Sequence, residues 1–261
     1  EKTLKEIGSD VSFIHLSPTN FMRQLRKVRS VSLISAVRAV RRGFKVIRMI
    51  ERAEEMARWY RPRESRVGET EKVLSRYLKR IDGARDFIEF EEAFVDAKRS
   101  FEAIGIADIE PMKVVLIGEI YCTIDPFINQ QIERRLGEMG VEVHRNVNLG
   151  NFVSHGLTRL VRDPMMLFKT RRYISAFVGG HGVHSVGEII EYSGKGFDGA
   201  IHTFPFACMP EITVRPLIQR IGKERDLPIL TVSFDEHSSQ TGLQTRIEAF
   251  VDLIKNKKQT I

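Results

Sequence analysis

The fold is decided by residues 113–121, which read KVVLIGEIY. Four consecutive apolar residues precede a glycine, a pattern typical of a short strand that is covered on both faces and ends in a turn. Three further stretches have the same character: VEVHRN at 141–146, FDGAIHTF at 197–204 and LPILTVSF at 227–234. Because helical stretches separate these runs, the pattern predicts βαβ units and an α/β fold with a four-stranded parallel sheet.

Helical periodicity fills the intervals between the strands. The predicted helices there cover residues 128–140, 153–161, 165–177, 209–226 and 241–256, and residues 181–196 are predicted to form a turn followed by a helix. Upstream of the first strand the pattern is helical, with predicted helices over residues 32–60, 69–81 and 86–104. We therefore divide the chain into a helical segment, residues 1–108, which is part of a larger domain or a docking face, and an α/β domain, residues 109–261.

The composition limits the classes of protein that fit this pattern. The chain has 261 residues, 42% of them hydrophobic, which suffices for one large or two small domains with a real core. No apolar run approaches the roughly 18 residues of a transmembrane helix, and EKTLKEIGSD lacks the apolar centre of a signal peptide. Two cysteines exclude a disulfide framework. We expect a cytoplasmic protein without a membrane partner and, since Met is not the first residue, a processed chain or a fragment.

The formal charge of +7 is concentrated in one segment. Residues 23–63 contain thirteen Lys or Arg and three Glu, so the rest of the chain is slightly acidic. A basic helical face suits nucleic acid, an acidic partner or water. No recognition motif and no interleaved aromatic residues accompany the charge. We therefore do not expect nucleic acid, and we leave open a solvated face or a docking face.

Polar side chains follow the predicted strands at their carboxyl ends, where ligands bind in open parallel sheets. Glu119 and Tyr121 follow the first strand, and Glu211 comes after the third. The turn GGHGVHSVGE, residues 179–188, leads into a helix whose free N–H groups suit an anion. An ordinary helix N-terminus with Ser185 as its N-cap residue explains the same sequence.

Cys208 lies in HTFPFACMPE, residues 202–211, just after the third strand. The residues alone leave three interpretations: a small buried filler, a nucleophile, or one ligand of a metal centre. The sequence shows no general base beside Cys208, which disfavours the nucleophile. Neither a CxxC pair nor zinc-type spacing is present, which disfavours a complete metal site within the chain. The filler and the partial metal site stay open.

The residues Asp235, Glu236 and His237 follow the fourth strand. They suit acid–base chemistry or a zinc-dependent hydrolase. A capped turn before the last helix accounts for the same three residues, and we favour it.

Five stretches together resemble a known family. They are YRPRESRVGETEKVL at 60–74, GEIYCTIDPFIN at 118–129, GGHGVHSVGE at 179–188, FDGAIHTFPFACMPE at 197–211 and TRIEAFVDLI at 245–254. They resemble the C-terminal part of proteins related to the 2-hydroxyacyl-CoA dehydratase D-component, including the activase-associated double-cubane iron–sulfur proteins. The resemblance covers roughly residues 55–257, and PFACMPE at 205–211 is among its most specific parts.

The resemblance implies a flavodoxin-like, doubly wound domain that faces a second such unit across a [4Fe–4S] cluster. Cys208 matches the last of the cluster cysteines, and the other cysteines belong to an upstream domain that this sequence does not contain. Cys122 stands where the family has another residue, so no ligand role passes to it. Electrons come from an ATP-hydrolysing activator and reach a substrate such as a 2-hydroxyacyl-CoA.

We therefore expect the C-terminal portion of such an iron–sulfur protein, with Cys208 as its metal ligand and no stable cluster in this chain alone. The alternative is a cluster-free ligand-binding or interaction domain. The catalytic residues, the substrate and the oligomeric state stay open. We expect a pocket lined by Glu119, Tyr121, Cys122, His181, Ser185 and Glu211.

Overall fold

The structure is a computed structural model that describes residue 8 and residues 32–151, 164–176 and 178–260. Contacts divide the chain into two compact units, residues 1–46 and residues 47–261. Within the first unit, residues 33–46 are helical. The second unit contains the sheet, the helices around it and two helices that precede it.

Three helices precede the sheet, and all three are predicted from the sequence. They are α1 (Leu33–Tyr60), α2 (Glu69–Asp82) and α3 (Phe87–Glu102). Asp86 is the N-cap residue of α3. Its carboxylate accepts the backbone N–H groups of Ile88 and Glu89 at 2.8 and 2.9 Å. A small apolar core joins the second part of α1 to α2 and α3; it consists of Ala53, Ala57, Tyr77, Ala93, Ala97, Phe101 and Ile104.

The sheet contains four parallel strands in the order β2-β1-β3-β4. The strands are β1 (Met112–Gly118), β2 (Val141–Arg145), β3 (Gly199–Pro205) and β4 (Ile229–Phe234). The central strands β1 and β3 are almost completely buried, as their continuous apolar sequences require. The predicted α/β class and the flavodoxin-like, doubly wound order are thereby confirmed.

Helices cover both faces of the sheet. On one face, α5 (Ile132–Glu138) and α8 (Gln240–Thr260) pack against Val114 and Leu116. On the other face, α6 (Gly182–Tyr192) and α7 (Met209–Glu224) pack against Val115 and Ile117. Successive side chains of β1 therefore alternate between two apolar cores, one on each face of the sheet. A short helix, α4 (Ile120–Ile124), follows β1 directly.

Two predicted helices between strands are shorter than their patterns indicate. Residues 128–131 form a turn, so the helix expected from residue 128 begins only at Ile132. The helix expected over residues 165–177 occupies residues 164–170 and is followed by a turn. The helix predicted at 153–161 lies outside the described residues. Across residues 32–151, 164–176 and 178–260, no helix combines the length and hydrophobicity of a membrane-spanning segment.

Ion pairs join the end of α1 to the edge of the sheet. Arg145 at the end of β2 bonds Glu54 of α1 at 2.8 Å and lies 3.3 Å from Glu133 of α5, with only 3% of its side chain exposed. Just past α1, Arg63 bonds Glu142 of β2 at 2.5 Å. Three cations of the basic segment, at positions 58, 61 and 63, are thus paired inside this unit.

The arginines also decide which carboxyl groups are ionised there. Burial alone favours the protonated form of Glu133, but the charges of Arg145 and Arg58 outweigh it and lower the pKa of Glu133. Burial likewise acts against ionisation of Glu142, yet hydrogen bonds from His144 and Arg63 lower its pKa to about 2. These carboxylates remain charged at neutral pH, so each needs its arginine.

We predict that Arg145→Met lowers the free energy of unfolding by about 3 kcal/mol, because it leaves the half-buried Glu54 without its cation and Glu133 with Arg58 alone. Urea denaturation measures this loss. The matched control is Arg134→Met, which removes an exposed guanidinium that pairs with Glu138 across one helical turn and donates to the Gln131 side chain, and it costs at most about 0.5 kcal/mol. Equal losses in the two variants would contradict the importance of the buried pairs.

Candidate functional site

The candidate site lies at the carboxyl edge of the sheet, between β1 and β3. After β1 the chain continues toward the face covered by α5, whereas after β3 it continues into α7 on the opposite face. The two loops therefore diverge and leave a crevice, the usual ligand position in a doubly wound sheet. Sequence reasoning places its candidate residues at this edge, and the structure agrees for those that follow β1 and β3.

Gly118 lets the two central strands approach each other at the crevice. Its φ of +129° is open only to glycine, and a Cβ atom there would overlap the carbonyl oxygen of Thr203. That carbonyl accepts the backbone N–H of Glu119 at 2.9 Å. Thr123 and Thr203 add a buried hydroxyl contact of 3.1 Å. The loop after β1 is thus fixed onto the end of β3.

Glu119 begins α4 and places its carboxylate at the crevice. One carboxylate oxygen accepts the backbone N–H groups of Tyr121 at 2.9 Å and Cys122 at 3.1 Å. The same bonds orient α4, so that Cys122 is buried and Tyr121 is exposed. The capping role of Glu119 therefore also decides which side chains of α4 face the crevice.

The two cysteines lie on opposite sides of the crevice and influence each other. Cys122 is on α4, and Cys208 is the half-buried residue that begins α7. Burial, together with Glu119 and Cys208, raises the pKa of the Cys122 thiol to about 12. Burial also raises the pKa of Cys208, against the opposing effect of the Glu211 backbone N–H. Both thiols are therefore protonated at neutral pH in the chain alone.

Ser185 and Glu211, two of the predicted pocket residues, lie inside the protein. The Ser185 hydroxyl donates to the Glu211 carboxylate at 3.1 Å, and His202 Nε2 lies 2.8 Å from the other carboxylate oxygen. All three side chains are at most 1% exposed. This hydrogen-bonded group fixes α6 and α7 to β3 beneath Cys208, and it does not line an open pocket.

The glycine-rich turn at 179–182 packs against the start of α7. A Cβ atom on Gly180 would lie 2.9 Å from the Pro210 side chain, and one on Gly182 would lie 2.8 Å from the Pro210 carbonyl oxygen. These close approaches explain why residues 180 and 182 are glycines, and anion binding is not needed as the reason. His181 is the half-buried residue that begins α6.

A pocket of about 780 Å³ opens beside the crevice on the α5 and α8 face. Three predicted residues line it: Glu119, Tyr121 and Cys122. The predicted residues His181, Ser185 and Glu211 belong to the other face of the sheet and are not among its lining residues. The rest of the lining is Pro126, Phe127, Ile128, Gln130, Gln131, Arg135, Pro205, Phe234, Asp235, Ser238 and Gln240.

One wall of this pocket has an unusual backbone that sequence reasoning missed. Gln130 and Gln131 have φ values of +54° and +62°, a conformation that non-glycine residues rarely adopt. The Gln130 side chain donates to Ser238 O at 2.9 Å, and Arg135 Nε donates to Gln130 O at 2.8 Å. The signal for a turn was Asp125–Pro126, since Asp125 accepts the N–H groups of the two residues after Pro126.

The residues Asp235, Glu236 and His237 form the capped turn favoured from the sequence. Asp235 accepts the backbone N–H of His237 at 3.0 Å and the hydroxyl of Ser238 at 2.9 Å. The side chains of Glu236 and His237 project into solvent. Only Asp235 of the three lines the pocket.

The described residues contain no complete metal site. Within residues 32–151, 164–176 and 178–260, no group of three or more His, Cys, Asp or Glu is arranged to hold a metal ion. Two thiols at one crevice fit the soft donors that an iron–sulfur cluster takes, but they do not complete its set of four.

Comparison with known proteins adds no family to this picture: no protein-family model matches the chain, and no curated protein matches it. The features of this chain that bear on its function are therefore the crevice, the pocket and the sequence resemblance to the dehydratase D-component family.

We predict that Gly118→Ala prevents folding or lowers the free energy of unfolding by more than about 3 kcal/mol. The added methyl group would overlap Thr203, and the alanine backbone does not readily adopt the required φ. Gly140→Ala is the control, since Gly140 also has a positive φ but open space around it, and it costs about 1 kcal/mol. The yield of folded protein and urea denaturation compare the two, and equal losses would refute the close approach of β1 and β3.

We predict that only Cys208 reacts with a disulfide reagent such as DTNB in the native chain at pH 8, and that it reacts more slowly than a free cysteine. The thiolate is the reactive form, and both pKa values are raised. Cys122→Ser leaves this slow reaction intact, whereas Cys208→Ser abolishes it until the protein is denatured. Rapid reaction of native Cys208→Ser protein would show that Cys122 is neither buried nor held protonated.

Proposed function

We propose that this chain is part of an iron–sulfur electron-transfer protein related to the 2-hydroxyacyl-CoA dehydratase D-component, in which Cys208 is one ligand of a [4Fe–4S] cluster. The observation that carries the proposal is the position of Cys208. It begins α7 at the crevice between β1 and β3, where the doubly wound fold binds its ligands. The resemblance of PFACMPE at 205–211 to the family's cysteine motif supports the same residue.

The environment of Cys208 suits a metal-bound thiolate better than a free nucleophile. Burial and the charges of Glu211 and Glu119 raise the pKa of Cys208, and a bound metal cation would favour its thiolate. The Glu211 backbone N–H acts in the opposite direction to the burial and favours negative charge at the start of α7. A cluster held there would accept and pass single electrons at low potential.

Other residues would position Cys208 and limit access of water to it. The Cys208 backbone N–H donates to Pro205 O at 2.9 Å, which closes the turn before α7. Beneath it, Glu211 is held by Ser185 and His202 and cannot move without breaking buried bonds. We propose that the remaining ligands come from a cysteine-bearing domain outside this chain, and that an ATP-hydrolysing activator supplies the electron.

A second candidate function is a cluster-free ligand-binding domain. The pocket of about 780 Å³ favours it, because its size is typical of small-molecule sites and none of its lining requires iron. The two functions differ at Cys208, which is essential to the first and incidental to the second.

The test is anaerobic reconstitution with iron and sulfide of this chain joined to the proposed cysteine-bearing domain. We predict that Cys208→Ser loses most of the bound iron and the visible absorption of the cluster, because serine replaces a soft thiolate. Cys122→Ser is the matched control, since it removes the other thiol at the same crevice and is expected to leave both signals intact.

Unchanged iron content and spectrum in Cys208→Ser would remove the residue from the ligand set and leave the ligand-binding function. Loss of the cluster in both cysteine variants would instead assign a ligand role to Cys122 as well. Circular dichroism of each variant checks that the fold is retained.

A further inference from the structure

The pocket beside the crevice is lined by Cys122 but not by Cys208, the proposed cluster ligand. It is bounded by the end of β4, the turn before α8, the residues leading into α5 and the start of α4. Its floor and walls contain Pro205, Pro126, Ile128 and Phe234. An apolar interior of this size with a few polar groups is the usual form of a small-molecule site.

Aromatic rings stand at the pocket without a protein partner that covers them. Phe127 is 91% exposed and Tyr121 is 61% exposed, and both line the pocket. Large exposed rings beside a concave surface mark a binding site more often than a solvated surface. They offer two exposed π faces, whereas Phe234 is buried in the core behind the pocket, and exposed π faces attract cations.

The charges at the pocket have one predominant sign. Glu119 and Asp235 line it, and each has one carboxylate oxygen engaged in capping backbone N–H groups. Arg135 is the cationic residue among the described lining residues. Its guanidinium is engaged by Gln130 O and by the side chain of Gln244. A pocket with two carboxylates is thus present in a chain whose formal charge is +7.

The wall formed by Gln130 and Gln131 has a strained backbone that hydrogen bonds hold in place. Two consecutive glutamines in the left-handed region are costly, and bonds from Arg135 to Gln130 O and from Gln130 to Ser238 O hold the first of them there. The bond from Gln130 to Ser238 O ties the residues before α5 to the turn before α8 across the pocket. The pocket is therefore preorganised, which reduces the entropic cost of binding.

We propose that this pocket binds a small organic cation, an ammonium or amidinium group carried on an apolar or aromatic body. The carboxylates of Glu119 and Asp235 would receive its N–H groups, and the exposed rings of Tyr121 and Phe127 would cover its charge and its body. The two carboxylates outnumber the one cation of the described lining, Arg135, and therefore disfavour an anionic ligand. The assignment goes beyond the proposed function and does not depend on iron.

The test uses three molecules of nearly equal shape: benzamidine, benzamide and benzoate. Isothermal titration of the 261-residue chain without iron measures each Kd. We expect benzamidine to bind with a Kd on the order of 1 mM, as suits a ligand of so few atoms. Benzamide is expected to bind more weakly, and benzoate at least about tenfold more weakly than benzamidine.

Two pairs of variants locate the binding. Asp235→Asn keeps an oxygen for the turn and removes the charge, whereas Glu236→Gln removes an equal charge from the adjacent side chain, which is outside the lining. Phe127→Ala removes an exposed ring of the pocket, whereas Phe168→Ala removes an exposed ring elsewhere. We expect a roughly two- to fivefold rise in the benzamidine Kd for Asp235→Asn and Phe127→Ala, as for one exposed contact, and no change in the two controls.

Several results would overturn the proposal. The first is the absence of benzamidine binding up to about 10 mM, which is weaker than a built site allows. The second is equal affinity for benzamidine and either of the other two molecules, since the pocket would then not recognise charge. The third is an equal effect of Glu236→Gln and Asp235→Asn, which would trace the binding to a diffuse negative potential. None of these results bears on Cys208 as a cluster ligand, and loss of the cluster would not affect them.

Discussion

The candidate site depends on the close contact of β1 and β3 at their carboxyl ends. Gly118 makes the contact possible, and the bond from Glu119 N–H to Thr203 O fixes it. From this point the chain after β1 enters α4 on one face, and the chain after β3 enters α7 on the other. The crevice, the facing thiols and the orientation of Glu119 all follow from these two strands being held together there.

Two cores on opposite faces of one sheet make this contact stable. Val114 and Leu116 belong to one core, and Val115 and Ile117 belong to the other, so β1 has no face that water reaches. Displacing β1 would disturb both cores at once, and the free energy of both therefore supports the geometry of the crevice. The polar group of Ser185, His202 and Glu211 adds directional bonds on the α7 face, where apolar packing alone leaves helix positions less defined.

Much of the fold follows from the sequence because the strands are short, apolar and separated by strong helical periodicity. KVVLIG at 113–118 is recognisable for that reason. The sequence around Gln130 and Gln131 predicts a helix, but a local bond from Arg135 and a bond to Ser238, distant in the sequence, hold Gln130 in another conformation. Ser185 and Glu211 are predicted at a pocket because their loops lie at the carboxyl ends of the strands, where ligands bind. The partners that permit their burial lie on three separate elements, and no local pattern reveals them.

The buried pairs of Arg145 with Glu54 and Glu133 also limit how this protein can change over generations. A recombination event that joined the sheet to a different set of preceding helices would inherit Arg145 without Glu54, and it would leave a charge inside the protein with half of its compensation. The second part of α1 and the edge strand β2 are thus expected to pass between relatives as one block. Loops at the opposite edge, around Asp235, have no such tie to α1 in the described residues, so an exchange of the preceding helices would leave their hydrogen bonds unchanged.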